Sequence, residues 1–402
     1  MNKPIVAVEL SHSAVKVTIG YTLDNQPLVL YAAYHPLRGA IENGHISNPS
    51  LLSGALKKAL QEAEQKTNYK IFDIVLALPA VGMQVFQANR SSTVVATSGK
   101  IKTIDVKNVV NIMRRDAQVE NTTIVGIIPD LYSLDDGKKF VEPPLGYVSG
   151  TLSIHAKIHL LPTDLCNEYA HIVEAAGYKL AKGFVGQYAY AEFLNSYANL
   201  PDGYIAVDAG AKQTKLSLIA YKALYGTVTV DIGGDDLINE VKDAFNLDTK
   251  QAEALIIKYG YYPNQTGYEA KITDYVNEAG ITVPLFIRNL ATVIENWLEK
   301  YREIIDVGLQ QLVTEQGDNT DLLKYPLVFS GGLAELNGMK DYMSTHITNK
   351  DVIFITPRTF GARHGRYNVT LGLIKAYSRY KVEIGDEINK VTHISRDKGN
   401  IN

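Results

Sequence analysis

Two carboxylates stand where a chain could hold a metal ion beside a phosphate. Glu9 and Asp208 each end a short apolar run, and each precedes a tight turn and a second apolar run. Backbone N–H groups in such a turn can cradle a phosphate, and a carboxylate at a strand end can hold Mg²⁺ through water. The repeated layout predicts two related halves that close on a nucleotide, with Glu9 and Asp208 as metal-binding and catalytic residues. The turn residues predicted to contact phosphate are Ser11, His12, Ser13, Gly210, Ala211, Lys212, Gln213 and Thr214.

Two further glycine segments have the composition of nucleotide-binding loops. Segment 233–235 precedes a predicted helix, where free N–H groups and the helix dipole favour an anion; the alternative is a tight turn with an aspartate cap. Segment 331–333 follows a predicted strand, and glycine lets a backbone lie directly against a base. The predicted nucleotide contacts in these segments are Gly233, Gly234, Asp235, Gly331, Gly332 and Leu333.

The elements around these segments are predicted twice in the same order. Alternating apolar residues predict strands over 5–9, 15–21 and 28–34, followed by a helix that begins near Asn48 and a strand over 71–78. A second run of strands is predicted over 204–208, 215–221 and 224–231. A helix that follows segment 102–106 is predicted to run to about Ala117, and further helices are predicted over 163–176, from Pro284 to about Glu315, and from about Tyr367 to Tyr380. Such repetition of layout without repetition of letters is typical of an internal duplication.

Four segments in this order resemble the FtsA family of the actin-like ATPase superfamily. They are 144–150 (PLGYVSG), 232–235 together with 251–253 and 257–260, 330–338, and 367–374. The resemblance covers residues 3 to 380. It implies an α/β fold, specifically an actin-like (ribonuclease H-like) duplicated two-domain fold with an inserted 1C-type subdomain. It also implies ATP or ADP with Mg²⁺ as cofactors, self-assembly into a head-to-tail filament, and recruitment of FtsZ through its C-terminal tail.

The same resemblance assigns roles to single residues. Glu253 matches a glutamate near the ribose, and Gln187 matches a glutamine that orients the attacking water, with a hinge hydrogen bond as the alternative. The helical subdomain 237–310 would bind the FtsZ tail, and block 84–162 would contact other division proteins. The residues expected at the tail-binding surface are Arg288, Asn296, Trp297 and Lys300. For Trp297 the alternative is a place in the core, since a long helix buries one face.

Departures from the family pattern predict weak or absent hydrolysis. Glu9 replaces an aspartate, and Ala14 replaces a lysine whose phosphate contact is typically worth about 1.5–3 kcal/mol. Ala211 and Lys212 replace two glycines, which is costly wherever the turn requires a positive φ. Lys212 is a candidate source of the missing positive charge. The chain is therefore expected to be at most a weak ATPase.

The resemblance also predicts how the chain divides. The expected subdomains are 1A (1–83, resumed at 163–200), inserted 1C (84–162), 2A (201–236, resumed at 311–366) and helical 2B (237–310), then a final helix packing on 1A (367–385) and a tail (386–402). Residues 382–402 have too few large apolar residues for a membrane-anchoring helix. Contact with a membrane surface therefore stays an open alternative, although the sequence shows no amphipathic anchor.

Composition excludes several classes of protein. The net charge of −3 gives no electrostatic basis for nucleic-acid binding. The single cysteine, Cys166, cannot form an internal disulfide, which is typical of a reducing bacterial cytoplasm. Two other functions remain alternatives. One is a PilM-like scaffold of pilus assembly, and the other is a small-molecule kinase, for which the first half offers no evident proton-abstracting aspartate.

Overall fold

A computed structural model describes residues 3–24, 26–197, 199–262, 267–277 and 279–383. The tail predicted at 386–402 lies outside the described residues. The strands are β1 (Ile5–Leu10), β2 (Ala14–Leu23), β3 (Gln26–Pro36), β4 (Ile41–Glu42), β5 (His45–Ile46), β6 (Asp73–Leu78), β7 (Gln84–Thr93), β8 (Thr122–Leu134), β9 (Lys139–Phe140), β10 (Thr151–Pro162), β11 (Lys179–Val185), β12 (Gly203–Ala209), β13 (Thr214–Ala220), β14 (Ala223–Val230), β15 (Lys271–Val276), β16 (Thr282–Phe286), β17 (Leu327–Ser330) and β18 (Val352–Phe354).

The helices are α1 (Pro49–Thr67), α2 (Thr103–Asp116), α3 (Thr163–Ala175), α4 (Gly186–Leu194), α5 (Gly234–Ala244), α6 (Thr249–Tyr259), α7 (Ile287–Glu315), α8 (Met339–His346) and α9 (Asn368–Glu383). Short 3₁₀ turns lie at Thr320–Lys324, Leu333–Glu335 and Gly365–Tyr367. No helix in the described part of the chain is long and apolar enough to span a bilayer.

The two predicted halves are built on matching five-stranded sheets. The strand order is β11-β6-β1-β2-β3 in the first sheet and β14-β13-β12-β17-β18 in the second. In each sheet the first strand of the half pairs antiparallel with the next strand and parallel with a later one, so β1 corresponds to β12 and β6 to β17. The duplication that the sequence predicts is therefore present in the hydrogen-bonded topology.

Local sequence sets the boundaries of the first helix. The side chain of Asn48 accepts a hydrogen bond from the N–H of Leu51 at 3.0 Å, and Pro49 occupies the first turn, where its missing N–H costs nothing. Asn68 ends α1 in the left-handed region, with φ of 52°. One face of α1 packs against β2 and β3 and is completely buried. This face carries Leu52, Leu56, Ala59, Leu60 and Ala63.

Residues 84–162 form a separate four-stranded sheet of order β7-β10-β8-β9, with α2 packed on it. Buried Asp105 joins the first turn of α2 to the segment that follows β7, because its two carboxylate oxygens accept the N–H groups of Val95 and Lys102, each at 2.8 Å. His159 on β10 donates from Nε2 to the carbonyl of Leu224 on β14, at 3.1 Å. The block therefore also touches the second half.

The long helix begins later than the sequence predicts. Pro284 lies inside β16, opposite Asp274 of β15, and α7 starts at Ile287. The side chain of Asn289 accepts a hydrogen bond from the N–H of Phe286 at 3.1 Å and so caps the helix there. Proline suits an isolated two-stranded ribbon, where one strand edge needs no partner. The apolar residues of the second half pack against α7 in a core that includes Trp297.

Candidate functional site

A cleft of about 660 Å³ separates the two halves. Its walls come from the carboxyl ends of β1 and β6 in one sheet and of β12 and β17 in the other. Ligands of open α/β sheets bind at this end of the strands, and the volume is within the usual range for a small-molecule site. The two turns predicted from sequence, 11–13 and 210–213, both line this cleft.

The two turns expose backbone donors. The N–H groups of His12, Ser13, Ala211 and Lys212 donate to no acceptor within the described ranges. Ala211 and Lys212 have no positive φ, so the expected strain from replacing glycine at these positions is absent. Gly210 is required for a different reason, because a Cβ there would lie 2.6 Å from the carbonyl oxygen of Gln213. Four N–H groups without an acceptor thus belong to residues that line the cleft, which suits an anion.

Each predicted carboxylate faces a lysine. Glu9 lies opposite Lys16 in the β1–β2 register, and Asp208 lies opposite Lys215 in the β12–β13 register. The Lys16 ammonium is 3.1 Å from both carboxylate oxygens of Glu9. All four residues line the cleft. The Glu9 carboxylate is therefore engaged by the ammonium of its own hairpin, whereas among the described residues the Asp208 carboxylate makes no hydrogen bond or ion pair.

The charges of the two halves act on one another across the floor of the cleft. Desolvation raises the pKa of the Asp208 carboxyl; Lys215 opposes that shift, Glu9 adds to it, and Lys16 opposes it. Glu9 and Lys16 belong to the first half, whereas Asp208 belongs to the second. The four charges are therefore close enough to form one electrostatic cluster.

Gln187, the second residue of α4, projects into the same cleft. Its side chain is 1% exposed, and its Oε1 atom has no hydrogen-bond partner among the residues that the structure describes. A buried amide oxygen without a partner is costly. The atom is thus suited to a water molecule or a ligand group held in the cleft.

The start of α5 does not offer the free donors expected from sequence. The N–H of Gly233 donates to Asp236 at 2.8 Å, that of Gly234 to Gly210 at 3.1 Å, and that of Asp235 to Ala211 at 2.7 Å. The aspartate-capped turn, the alternative reading of this segment, is what forms. Gly233 packs against the 210–213 turn, since a Cβ would lie 2.3 Å from the carbonyl oxygen of Ala211.

Asp235 has a different role from the one predicted. Its carboxylate accepts from Arg38 of the first half at 2.9 Å. Both residues line the cleft, so this ion pair joins the two halves across it. An exposed pair of this kind contributes little stability, roughly 0–1 kcal/mol, but it opposes separation of the halves.

Thr214 also differs from its prediction. Its hydroxyl donates to the carbonyl of Ile232 at 2.9 Å and lies 3.0 Å from the hydroxyl of Tyr301. Thr214 is fully buried and does not line the cleft. Successive side chains of a strand point to opposite faces of the sheet. At the start of β13 this places the Thr214 side chain in the core of the second half, and not toward a phosphate in the cleft.

The glycine loop at 331–333 borders the opposite wall. Gly331 has φ of +105°, and a Cβ there would lie 2.5 Å from the carbonyl oxygen of Ala209, so only glycine fits. Gly332 is helical in conformation and has open space in front of its Cα. The loop lies beside the apolar residues of α5 and α6 that face the cleft, and Glu253 stands exposed at their rim. The residues of this apolar wall are Leu237, Ile238, Ile256, Ile257, Leu333 and Leu336.

An arginine–histidine pair that the sequence analysis did not identify lies near Lys16. Arg366 Nη2 is 2.8 Å from His364 Nε2, and the Arg366 guanidinium stacks over the ring of Tyr34 at 4.6 Å. Desolvation, Arg366 and Lys16 lower the pKa of His364 to about 4, so this histidine is neutral near pH 7. Sequence reasoning also missed Lys16 and Lys215 as site residues. Their position opposite an acid in both hairpins was the available signal.

The surface predicted to bind a peptide tail lies elsewhere, on α7. Arg288, Asn296 and Lys300 are exposed, with Arg288 paired to Glu269 and Lys300 to Glu240 at 3.2 Å. Trp297 does not belong to this surface. It is fully buried and stacks on Tyr301 with ring centroids 5.0 Å apart, because helical periodicity turns it toward the core. The expectation of an exposed tryptophan anchor is wrong.

Comparisons with known proteins agree with this architecture. A scan against protein-family models finds no match. FtsA of Enterococcus faecalis is 23% identical over 397 residues, covering 97% of this chain and 85% of its own length. FtsA of Enterococcus hirae is 24% identical over 375 residues, covering 92% and 82%.

Solved structures show the same fold. The PilM–PilN type IV pilus biogenesis complex matches with a TM-score of 0.55 at 16% identity, covering 92% of this chain and 97% of the other. MreB5 of Spiroplasma citri bound to ADP matches with a TM-score of 0.52 at 11% identity, covering 95% and 99%. The predicted fold class is confirmed. The chain is therefore similar to the cell-division protein FtsA over most of its length, and it has the actin-like ATPase fold.

Proposed function

We propose that this protein binds ATP or ADP in the interdomain cleft. The observation that carries the proposal is the set of free N–H groups on two facing turns beside the unpartnered Oε1 of Gln187. The phosphates would lie on turns 11–13 and 210–213. The base would lie against the apolar wall next to Gly332, with Glu253 near the ribose. The MreB5 structure bound to ADP supports a nucleotide in a fold of this kind.

Calorimetry with ATP tests this proposal. We expect micromolar to sub-millimolar affinity in the wild-type protein. Gly332→Asp should abolish binding, because it places a carboxylate in the cleft beside the incoming nucleotide. Gly332→Ala is the matched control, since the nearest atom to a Cβ there is His364 Cε1 at 3.9 Å. Absence of binding at millimolar ATP in the wild-type protein would refute the proposal.

We further propose that hydrolysis is weak or absent. Gln187 is the residue placed to orient a water, but the Lys16 ammonium holds both carboxylate oxygens of Glu9, and Ala14 stands where the family pattern has a lysine. Turnover should fall well below the median enzyme value of about 10 s⁻¹. Phosphate-release assays should show any residual rate lost in Gln187→Ala with nucleotide affinity retained. Turnover at or above that median would contradict this reading.

The likeness to FtsA supports a role in bacterial cell division. In this role the chain would act at the inner face of the cell membrane, polymerise head to tail, and recruit FtsZ through its C-terminal tail. The exposed face of α7 with Arg288, Asn296 and Lys300 is the proposed tail-binding surface. Arg288→Glu with Lys300→Glu should weaken binding of the cognate FtsZ tail peptide, whereas Lys66→Glu on α1 should not. Absence of peptide binding by the wild-type protein would end this proposal.

Block 84–162 is the proposed contact with the neighbouring subunit and with other division proteins. A heterologous contact of this type does not close on itself, so it produces a filament. Electron microscopy of the protein with ATP on a lipid monolayer should show filaments that repeat by about one subunit length. A closed dimer in solution without filaments on any surface would count against assembly.

A cytoplasmic scaffold of pilus assembly is the second candidate. The PilM–PilN structure covers almost all of this chain, but at 16% identity the likeness carries the fold alone. The two candidates differ in partner. Failure to bind an FtsZ tail, combined with binding of a peptide from a pilus assembly protein, would favour the scaffold.

A further inference from the structure

We infer that Arg366 holds a phosphate group of the nucleotide in the cleft, because the ring of His364 presents a donor, not an acceptor, to the Arg366 guanidinium. This inference rests on the proposed nucleotide binding and goes beyond it by assigning to the phosphates a cation that the sequence pattern does not mark. Three observations around the start of α9 lead to it.

The first observation is which ring nitrogen of His364 carries the proton. The backbone N–H of Arg366 donates to Nδ1 of His364 at 3.2 Å. A backbone N–H can only donate, so Nδ1 must be the unprotonated nitrogen of the ring. The Nε2 nitrogen therefore carries the proton, and it donates to Oε2 of Glu335 at 3.1 Å. The N–H of Gly365 donates to Oε1 of the same carboxylate at 2.5 Å, so both oxygens of Glu335 are engaged.

The second observation is that the Arg366 side chain lacks an acceptor. Its Nη2 lies 2.8 Å from the same Nε2 of His364, but a guanidinium can only donate, and so can a protonated Nε2. This contact therefore joins two donors and is not a hydrogen bond. Within the described ranges of the chain, the Arg366 side chain makes no ion pair and no other hydrogen bond. A charged donor in this position gains by moving onto an anion.

The third observation is where this cation stands. The Arg366 guanidinium stacks over the ring of Tyr34, 4.6 Å from its centroid. Tyr34 is directly opposite Lys16 in the β2–β3 register, and Lys16 is directly opposite Glu9 in the hairpin whose turn is 11–13. Arg366 is half-buried and lines the cleft together with that turn. The stack therefore holds the guanidinium at the first-half wall of the cleft.

These features suit a phosphate. A guanidinium presents a planar fork of donors that matches the oxygens of a phosphate. Stacking on an aromatic ring limits the movement of the fork without using its donors. The N–H groups of His12 and Ser13 offer neutral donors on the same side of the cleft, and Arg366 adds a positive charge to them.

Equilibrium binding of ATP, ADP, AMP and adenosine to the whole chain tests the inference. Arg366→Met keeps an apolar side chain over Tyr34 but removes the charge and the donors. We expect it to weaken ATP binding about tenfold or more, in line with the loss of a charge-assisted hydrogen bond. Adenosine has no phosphate, so its affinity should stay within about twofold. The shortest nucleotide that shows the loss identifies the phosphate that Arg366 contacts.

The outcomes separate the inference from the proposed function. Unchanged ATP affinity in Arg366→Met, or an equal loss of ATP and adenosine affinity, overturns the inference and leaves the proposed function intact. Absence of ATP binding by the wild-type protein overturns the proposed function itself. Arg363→Met is the matched control, because Arg363 is exposed and lies outside the cleft lining, and it should change neither affinity.

The protonation of His364 can be measured without changing Arg366. In long-range ¹H–¹⁵N NMR spectra of the nucleotide-free protein near pH 7, the histidine signal that is absent from His364→Gln should show a neutral ring protonated on Nε2. A ring protonated on Nδ1 could not accept the backbone N–H of Arg366, and this result would overturn the inference. Circular dichroism and the fluorescence of Trp297 during urea unfolding establish that each variant is folded.

Discussion

Replacing Thr214 by valine separates a core role from a phosphate-binding role for this residue. The hydroxyl of Thr214 donates to the carbonyl of Ile232 at 2.9 Å and lies 3.0 Å from the hydroxyl of Tyr301. Valine has nearly the same shape but neither bond. The buried Tyr301 hydroxyl and the Ile232 carbonyl would then lose this partner. We expect Thr214→Val to lower the stability of the second half.

The magnitude follows from the number of groups left unpaired. A buried polar group without a partner costs about 1–3 kcal/mol, and two such groups give a loss of roughly 2–6 kcal/mol in the free energy of unfolding. Tyr301→Phe removes one hydroxyl and leaves Thr214 bonded to Ile232. That variant should therefore cost only about 1 kcal/mol.

Urea unfolding followed by tryptophan fluorescence is the appropriate assay. Trp297 is the only tryptophan in the chain, it is fully buried in the core of the second half, and it stacks on Tyr301. Its emission therefore reports the unfolding of the half that contains Thr214. The midpoint should fall in Thr214→Val and fall less in Tyr301→Phe. ATP affinity of the folded variants should stay within about threefold of the wild type.

One result would refute this reasoning. If Thr214→Val left the unfolding midpoint unchanged but weakened ATP binding tenfold or more, the hydroxyl would be facing the ligand. The side-chain direction described for β13 would then be incorrect, and Thr214 would return to the role that the sequence predicts.

Three further predictions concern pH, the bridge across the cleft, and the glycine loop. Burial lowers the pKa of His159 from 6.5 to about 4, so between these pH values the unfolded chain binds a proton that the folded chain does not. Stability should therefore fall as the pH drops through that window, which urea midpoints measured at several pH values would show. His159→Gln should flatten this pH dependence while keeping a donor to the carbonyl of Leu224. Arg38→Ala removes the ion pair with Asp235 and should speed release of a fluorescent nucleotide by up to about fivefold. Arg363→Ala, at a residue outside the cleft lining, is the control and should leave the release rate unchanged. Equal release rates in the two variants would show that the ion pair does not restrain the halves. Gly331→Ala should prevent folding of the loop or abolish nucleotide binding, because its φ of +105° and the Ala209 carbonyl exclude a side chain; a stable variant with unchanged affinity would contradict this.

The sequence predicted the two hairpin turns and their acids because these features are local. A strand end, a short turn and a following strand are encoded within about a dozen residues, and turn 11–13 and turn 210–213 both line the cleft as expected. It did not predict the role of Lys16 or Lys215, although both lie in the same hairpins. The family pattern directs attention to missing residues, such as the lysine replaced by Ala14, rather than to a charge two positions further along the same strand face.

Sequence by itself determined the order of elements, the duplication and the likeness to FtsA, because alternation, capping residues and glycine turns act over short distances. Tertiary structure decided which groups remain free to bind. Asp236 accepts the N–H of Gly233, which caps α5, and the side chain of Trp297 on α7 packs into the core. The pairing of Arg38 with Asp235 across the cleft joins residues that sequence leaves far apart. A donor's availability depends on every group that packs around it, and that packing exists only once the two halves have closed on each other.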